Sequence, residues 1–474
     1  MKNVFLKSIC CVLICNLIQI TEIHSQTTLP LFFSDSMVLQ QQTEAAIWGT
    51  DKPETKIIVK TSWGSSSKTS TDKDGKWKLK ITTPKAGGPF MVEIKGTNKI
   101  TYKNVLIGEV WLCSGQSNME MPVRGNMNQP IIGSNEAILN STNTNIRSFN
   151  AVKSVSKISL NEVIGFWKSA SPATTGSFSA VAYFFAKKVH SITGVPIGII
   201  HTSWGGSNIE TWMDSSTLAT FKKVNIPADV TMKNANSAHT ILYKSMLHPF
   251  IGYTIKGVLW YQGESNRERA NEYQNLFSGL ISSWRNQWQQ GNFPFYFVQI
   301  APHSGLPNNH INGAFLREAQ LKTLLSVENT GMAVTMDIGE QFLIHPAQKE
   351  LVGNRLAYWA LAKTYNIEGI TYSGPIFNKI ESNKNDTITV SFKYADMGLN
   401  SFGKPLTDFE IAGEDKKFYP ANAFFAKGKL QWISVTSDSV KNPIHVRYGF
   451  KNWLQGSLYN TAGLPASSFR TDDW

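Results

Sequence analysis

Apolar residues fall along this chain in three rhythms. From Leu29 to about Asn104 they come in short alternating runs. Lys76-Trp77-Lys78-Leu79-Lys80-Ile81 sends every second side chain to one face, as a half-buried strand requires. Ala45–Gly49, Lys56–Trp63 and Phe90–Lys95 read as further strands, with Asp72-Lys73-Asp74-Gly75 and Pro84–Pro89 as turns. Their spacing predicts a small β-sandwich. From Glu109 onward the apolar runs become continuous: Val110–Cys113, Ile197–Ile200, Gly257–Trp260, Phe295–Ile300 and Gly331–Asp337. Such runs suit parallel strands buried on both faces. Helical patterns separate them, at Ser177–Ser191 (with Gly194 and Pro196 as terminators), residues 272–290 and Glu350–Thr364. The alternation predicts an α/β region. After Gly369 the period of two returns, at Thr387–Phe392, Leu430–Ser434 and Ile444–Tyr448.

Polar blocks follow the buried runs. Gly115-Gln116-Ser117-Asn118, His201–Asn208 and Tyr261–Asn266 each lie at a strand's carboxyl end, where open α/β sheets place their ligands. A serine there becomes a nucleophile if a histidine takes its proton and N–H groups receive the oxyanion. Paired glycines such as Gly205-Gly206 let backbone turn tightly and present those N–H groups. Taken singly these features are common: a lone Gly-x-Ser is more often a helix cap, and a lone loop carboxylate more often a solvated one. Of nine histidines, His24 belongs to the leader, and His345 is singled out because it follows the last buried strand. His239 and His248 are held in reserve.

The wording of the blocks narrows the reading. Cys113-Ser114-Gly115-Gln116-Ser117-Asn118-Met119, Trp204-Gly205-Gly206, Trp260-Tyr261-Gln262-Gly263-Glu264-Ser265-Asn266 and Ile344-His345-Pro346 occur in that order. Asp35–Gln40 precedes them, and the run from Gly463 to Trp474 closes the chain. Together they resemble the sialate O-acetylesterase family of SGNH-type serine esterases, relatives of acetylxylan esterases, from about Leu29 to the last residue. The resemblance implies a three-layer α/β/α SGNH (flavodoxin-like) core with flanking β-sandwich-like regions. It implies Ser117 as nucleophile and His345 as general base. The N–H groups of Ser117 and Gly206 and the amide of Gln262 would form the oxyanion hole. Gln116, Asn118, Trp204, Trp212 and Tyr261 would contact substrate. SGNH enzymes in general usually carry an Asp two or three residues before the histidine, where this chain has Leu343 and Phe342. Three readings stay open: Glu264 as the orienting acid, Asp337 in that role, or a Ser–His dyad.

Composition trims the alternatives. The net charge of +12 is not gathered into basic runs, only pairs such as Lys187-Lys188 and Lys416-Lys417, which argues against nucleic acid as a partner. Lys2, Lys7 and the apolar stretch Ile9–Ile20 read as a cleavable secretory leader over residues 1–25, so a periplasmic or secreted protein with no membrane insertion is expected. Three of four cysteines lie in that leader, leaving Cys113 with no disulfide partner and no cysteine-based metal site. No cofactor and no metal are expected. The domain reading is a leader (1–25), a β-sandwich (26–104), an esterase domain (105–367) and a β-rich region (368–474). The expected substrate is an O-acetylated sugar, foremost O-acetylated sialic acid, with acetylxylan or another glycan as alternative. A non-catalytic carbohydrate-binding protein is the competing class, since fourteen Trp and fourteen Tyr also suit flat sugar faces. Specificity is expected in residues 213–240 and 303–313, where no motif guides the reading.

Overall fold

One 17-residue strand ties the amino-terminal β region to the α/β region. The computed structural model describes residues 26–305, 311–384 and 386–474, so the expected leader lies outside the described residues. The first strands are β1 (Val38–Gln40), β2 (Glu44–Thr50), β3 (Lys56–Thr61), β4 (Ser66–Ser70), β5 (Lys76–Thr82), β6 (Gly87–Lys95) and β7 (Lys99–Gly115). β2 pairs with β5, β3 lies between β4 and β6, and β6 runs antiparallel to the first half of β7. Ile57, Val59, Trp77, Leu79, Ile81, Val92 and Ile94 fill the core, and the lysines of β5 alternate outward. β7 then continues unbroken into the second region. The short strand expected at Val110–Cys113 is only its last part, and the step from residue 104 to 105 falls inside it.

The chain goes on through α1 (Ser117–Glu120), α2 (Ser134–Leu139), β8 (Asn143–Asn150), β9 (Trp167–Ala170), α3 (Ala180–Thr193), β10 (Ile197–Ser203) and α4 (Ser215–Ala219). β11 (Gly257–Tyr261), α5 (Ala270–Trp288), β12 (Phe295–Val298), α6 (Asn312–Ser326), β13 (Thr330–Ala333) and α7 (Lys349–Lys363) complete it. The parallel strands lie in the order β8-β10-β7-β11-β12-β13, with antiparallel β9 at the edge. Helices α3 and α7 cover one face over Trp111, Cys113, Ile199 and Leu259. Helices α5 and α6 cover the other over Leu112, Val258, Trp260 and Phe297. Burial on both faces accounts for the continuous apolar runs. Because β10 flanks β7 on one side and β11 on the other, the winding reverses across β7 and opens a crevice at the carboxyl ends. Gly115 closes that crevice's floor: with φ +141°, a Cβ there would lie 2.1 Å from the Tyr261 carbonyl oxygen. Cys113 beneath it is a buried, unpaired thiol whose ionisation burial suppresses.

The last region holds β14 (Ile376–Lys384), β15 (Thr387–Lys393), β16 (Leu399–Asn400), β17 (Leu406–Ala412), β18 (Phe418–Phe425), β19 (Trp432–Thr436), β20 (His445–Tyr448), β21 (Tyr459–Asn460) and β22 (Phe469–Arg470). Seven of these form an antiparallel sheet, β14-β15-β19-β18-β17-β20-β22, around Ile388, Val390, Ile411, Ile433 and Val435. It docks on the core through Arg317 of α6. That guanidinium is buried and donates to the Gly449 carbonyl at 3.3 Å, to the Lys451 carbonyl and to Ser468 Oγ at 3.3 Å.

Candidate active site

Ser117 opens the single turn α1 directly after β7. The turn is tied to the end of β11: Gln116 N–H donates to the Tyr261 carbonyl at 2.9 Å. The Gln116 side-chain oxygen accepts from the N–H groups of Gly263 at 3.1 Å and Ser265 at 3.4 Å. His345 arrives from the loop between β13 and α7, and its Nε2 lies 2.7 Å from Ser117 Oγ. Both residues are only half-buried, so the pair faces the crevice. Burial, with Lys349 and His303 nearby, pushes the His345 imidazole down to about 4, against a smaller opposing pull from Glu120. A neutral imidazole at that position can accept the serine proton.

The sequence leaves three readings open for the group that orients His345, and neither candidate carboxylate lies on the imidazole. The Glu264 carboxylate is buried, and one oxygen accepts from Asn118 Nδ2 at 2.6 Å. Its other oxygen and His345 Nδ1 are both buried, and neither has a hydrogen-bond partner among the described residues. Burial raises the Glu264 carboxyl above the usual range. Asp337 is turned away: Arg355 grips it with two donors at 2.8 and 2.7 Å. Neither carboxylate therefore bonds the imidazole. Asn118 takes the central place instead. Its Nδ2 also donates to the carbonyl of Ile344 at 3.2 Å, just before His345, while its Oδ1 accepts from Lys349 Nζ. Lys349 is fully buried, which lowers it to about 7 against the pull of Glu264 and Glu340. A lysine only donates and a carboxylate or carbonyl only accepts, so these neighbours determine which way the Asn118 amide points.

Other expected contacts are corrected by burial. Asn118 has no exposed surface, so it braces the site and does not meet substrate. Trp212 and Tyr261 are fully buried, the indole N–H of Trp212 donating to Ser207 Oγ at 2.9 Å. Trp204 is 6 % exposed and has Lys153 over its ring at 5.1 Å, which leaves no open sugar platform. Gln262 cannot aim its NH2 at an oxyanion. That amide is buried and donates to the Ser207 carbonyl at 3.0 Å and to Asn266 Oδ1 at 2.7 Å. His239 Nδ1 accepts from Asn225 N–H at 2.9 Å and His248 bonds the Leu160 carbonyl at 2.8 Å, so both serve loops elsewhere.

Gly206 lies at the end of β10 with φ +70°, a backbone state that favours glycine, and is exposed. Among the described residues neither its N–H nor that of Ser117 has an acceptor. These two donors remain available for an oxyanion. Two participants escaped the sequence reading: Lys349, the first residue of α7 and four positions after His345, and Glu120, three positions after Ser117 on α1. The i, i+3 spacing of Ser117 and Glu120 put the two on one turn, but nothing local showed that Lys349 is buried or what either side chain holds. Among the described residues no group of three or more His, Cys, Asp or Glu side chains is placed to hold a metal ion.

Comparison with known proteins places this geometry in context. A family model described as carbohydrate esterase, sialic acid-specific acetylesterase matches residues 107–362. The chain is 28% identical over 487 residues to the sialate O-acetylesterase of Pongo abelii and 29% identical over 487 residues to that of Homo sapiens. Each match covers 92% of this chain and 91% of the relative. The crystal structure of a carbohydrate acetylesterase from Xanthomonas citri superposes with a TM-score of 0.87 at 36% identity, covering 95% of this chain and 100% of that one.

Proposed function

The chain belongs to the sialic acid-specific acetylesterase family of carbohydrate esterases, and on that premise we propose that it hydrolyses O-acetyl groups on sugars by a serine mechanism on an SGNH-type core. It is a carboxylic ester hydrolase. The observation that carries the mechanism is the 2.7 Å contact between Ser117 Oγ and His345 Nε2 beside two N–H groups without acceptors. Oγ attacks the acetyl carbonyl carbon as Nε2 takes its proton. The developing oxyanion is received by the N–H groups of Ser117 and Gly206. The imidazolium then returns its proton to the departing sugar oxygen, leaving an acetyl-enzyme. Water attacks that ester, His345 takes the water's proton, and collapse releases acetate and regenerates Ser117.

We read the pair as a dyad. The orienting work of a third carboxylate passes to Asn118, which pins the peptide preceding His345. O-acetylated sialic acid is the substrate this reading favours, from the names of the mammalian relatives. A neutral acetylated glycan is the second reading, supported by the bacterial carbohydrate acetylesterase of similar structure. We also propose that the enzyme works in the periplasm or outside the cell after removal of residues 1–25. Acetate release from O-acetylated sialic acid, measured beside acetylated xylo-oligosaccharides, tests the assignment. A higher kcat/KM on the sialic acid supports the first reading, and the reverse order supports the second. Turnover of neither, nor of p-nitrophenyl acetate, leaves a sugar-binding protein and overturns both.

A further inference from the structure

The oxyanion loop has a support that the mechanism above does not use. Glu120 stands one turn after Ser117 on α1, and one of its carboxylate oxygens accepts from Gly205 N–H at 2.5 Å. Gly205 lies directly against the nucleophile: a Cβ placed on it would lie 3.5 Å from Ser117 Cβ and 3.3 Å from the same Glu120 oxygen. From the other side Asn236 Nδ2 approaches the Gly205 carbonyl at 3.5 Å. That carbonyl shares its peptide plane with Gly206 N–H, so the direction of one sets the direction of the other. Trp204 N–H, just before, bonds the Gly115 carbonyl at 3.1 Å. Glycine's own backbone preferences leave many states open, so contacts such as these set the orientation of the pair.

We propose that Glu120 is a positioning residue for the oxyanion hole: its carboxylate fixes the peptide that enters Gly205, Asn236 meets the carbonyl of the peptide that leaves it, and holding both ends aims the Gly206 N–H at the site above Ser117. A carboxylate this near a developing oxyanion would by itself oppose the charge. Lys153 answers that, with its Nζ 2.6 Å from the second Glu120 oxygen. Lys153 is held in place over the Trp204 ring, so the Glu120–Lys153 pair and the glycine loop form one connected unit. The proposal rests on the serine-esterase reading and adds to it the group that organises the hole.

The test is a pair of variants assayed with p-nitrophenyl acetate, together with Ser117→Ala. Glu120→Ala removes the acceptor, whereas Glu120→Gln keeps a carbonyl oxygen where Gly205 N–H needs one and gives up the charge and the ion pair with Lys153. Removing an oxyanion donor outright costs about 10²–10³ in kcat, and a donor left misaimed should lose roughly tenfold or more. Glu120→Ala should therefore lower kcat about tenfold or more, with KM changed less than about threefold and the thermal midpoint held. Glu120→Gln should recover to within about threefold of wild type. A general structural role would not be rescued in this way. Wild-type kcat in Glu120→Ala overturns the proposal, as does Glu120→Gln being equally impaired. The two levels separate cleanly. An active Ser117→Ala removes the serine-esterase reading itself, while an inactive Ser117→Ala beside an unimpaired Glu120→Ala removes only the Glu120 assignment.

Discussion

The two walls of the catalytic crevice solve the same problem by opposite means. On the oxyanion wall, the charges that hold the loop are at the surface: Glu120 and Lys153 keep 31% and 37% of their side-chain surface exposed and neutralise one another there. On the base wall, Asn118 and Lys349 are fully buried and Glu264 half-buried, the three joined in series by the Asn118 amide. A surface pair is worth at most about 1 kcal/mol to the fold. A buried polar group left without its partner costs about 1–3 kcal/mol, because no water can replace what was removed. Geometry on one wall can thus be altered with little effect on folding, whereas on the other wall catalysis and stability are coupled.

The largest effect sets the baseline for both walls. Ser117→Ala should lower kcat by about 10⁴-fold or more in a folded protein, leaving only the residual enhancement of the oxyanion donors and binding. Near-normal turnover in a pure sample would dissolve the comparison altogether. Next comes the contrast in stability. Lys349→Met leaves the buried Asn118 Oδ1 without its donor and should destabilise the protein by about 1–3 kcal/mol in chemical denaturation, against less than about 1 kcal/mol for Glu120→Ala. Equal losses would show that burial does not separate the two walls.

The pH profile sharpens the picture on the base wall. Because the imidazole is held down to about 4, it stays neutral, and able to take the serine proton, well below the ordinary value of 6.5. The acid limb of kcat/KM should accordingly fall through about pH 4. Lys349→Met removes one of the groups pushing His345 down, so its limb should move upward, toward 6.5. A wild-type limb already near 6.5 contradicts the environment described. The smallest effect belongs to Glu264→Gln. A triad acid would lose up to about 10⁴ in kcat, but a carboxylate bonded to Asn118 and not to the imidazole should lose only about threefold. A loss of a hundredfold or more would restore Glu264 as the orienting acid.

Much of the architecture was legible because period and burial are local properties. The alternation of β5 and the continuous runs of β10 and β11 are written in consecutive residues, and the strands are found there. Helix α6 was not legible. Its buried positions include Arg317, Gln320 and Thr323, so no apolar stripe marks it; Arg317 bonds the C-terminal region, Gln320 the Gln262 and Val298 carbonyls at the ends of β11 and β12, and Thr323 its own helix. The aromatic residues misled for a related reason. Tyr261 sits in a motif block and Trp212 four residues after one, yet a motif does not say which face of the backbone a ring leaves from, and both leave toward the core.

By itself the sequence determined the order of regions, the strand ends that carry polar blocks, and the two residues, Ser117 and His345, that meet at 2.7 Å. Those follow from short-range pattern and from block wording. What the tertiary structure alone decided is the company they keep. Asp337 is claimed by Arg355, Gln262 by Asn266 and Ser207, and Asn118 joins Glu264 to Lys349 across 146 and 231 residues of chain. A side chain's role depends on which donors and acceptors the fold brings within hydrogen-bond reach. Separations of that length leave no trace in the local pattern of a single sequence.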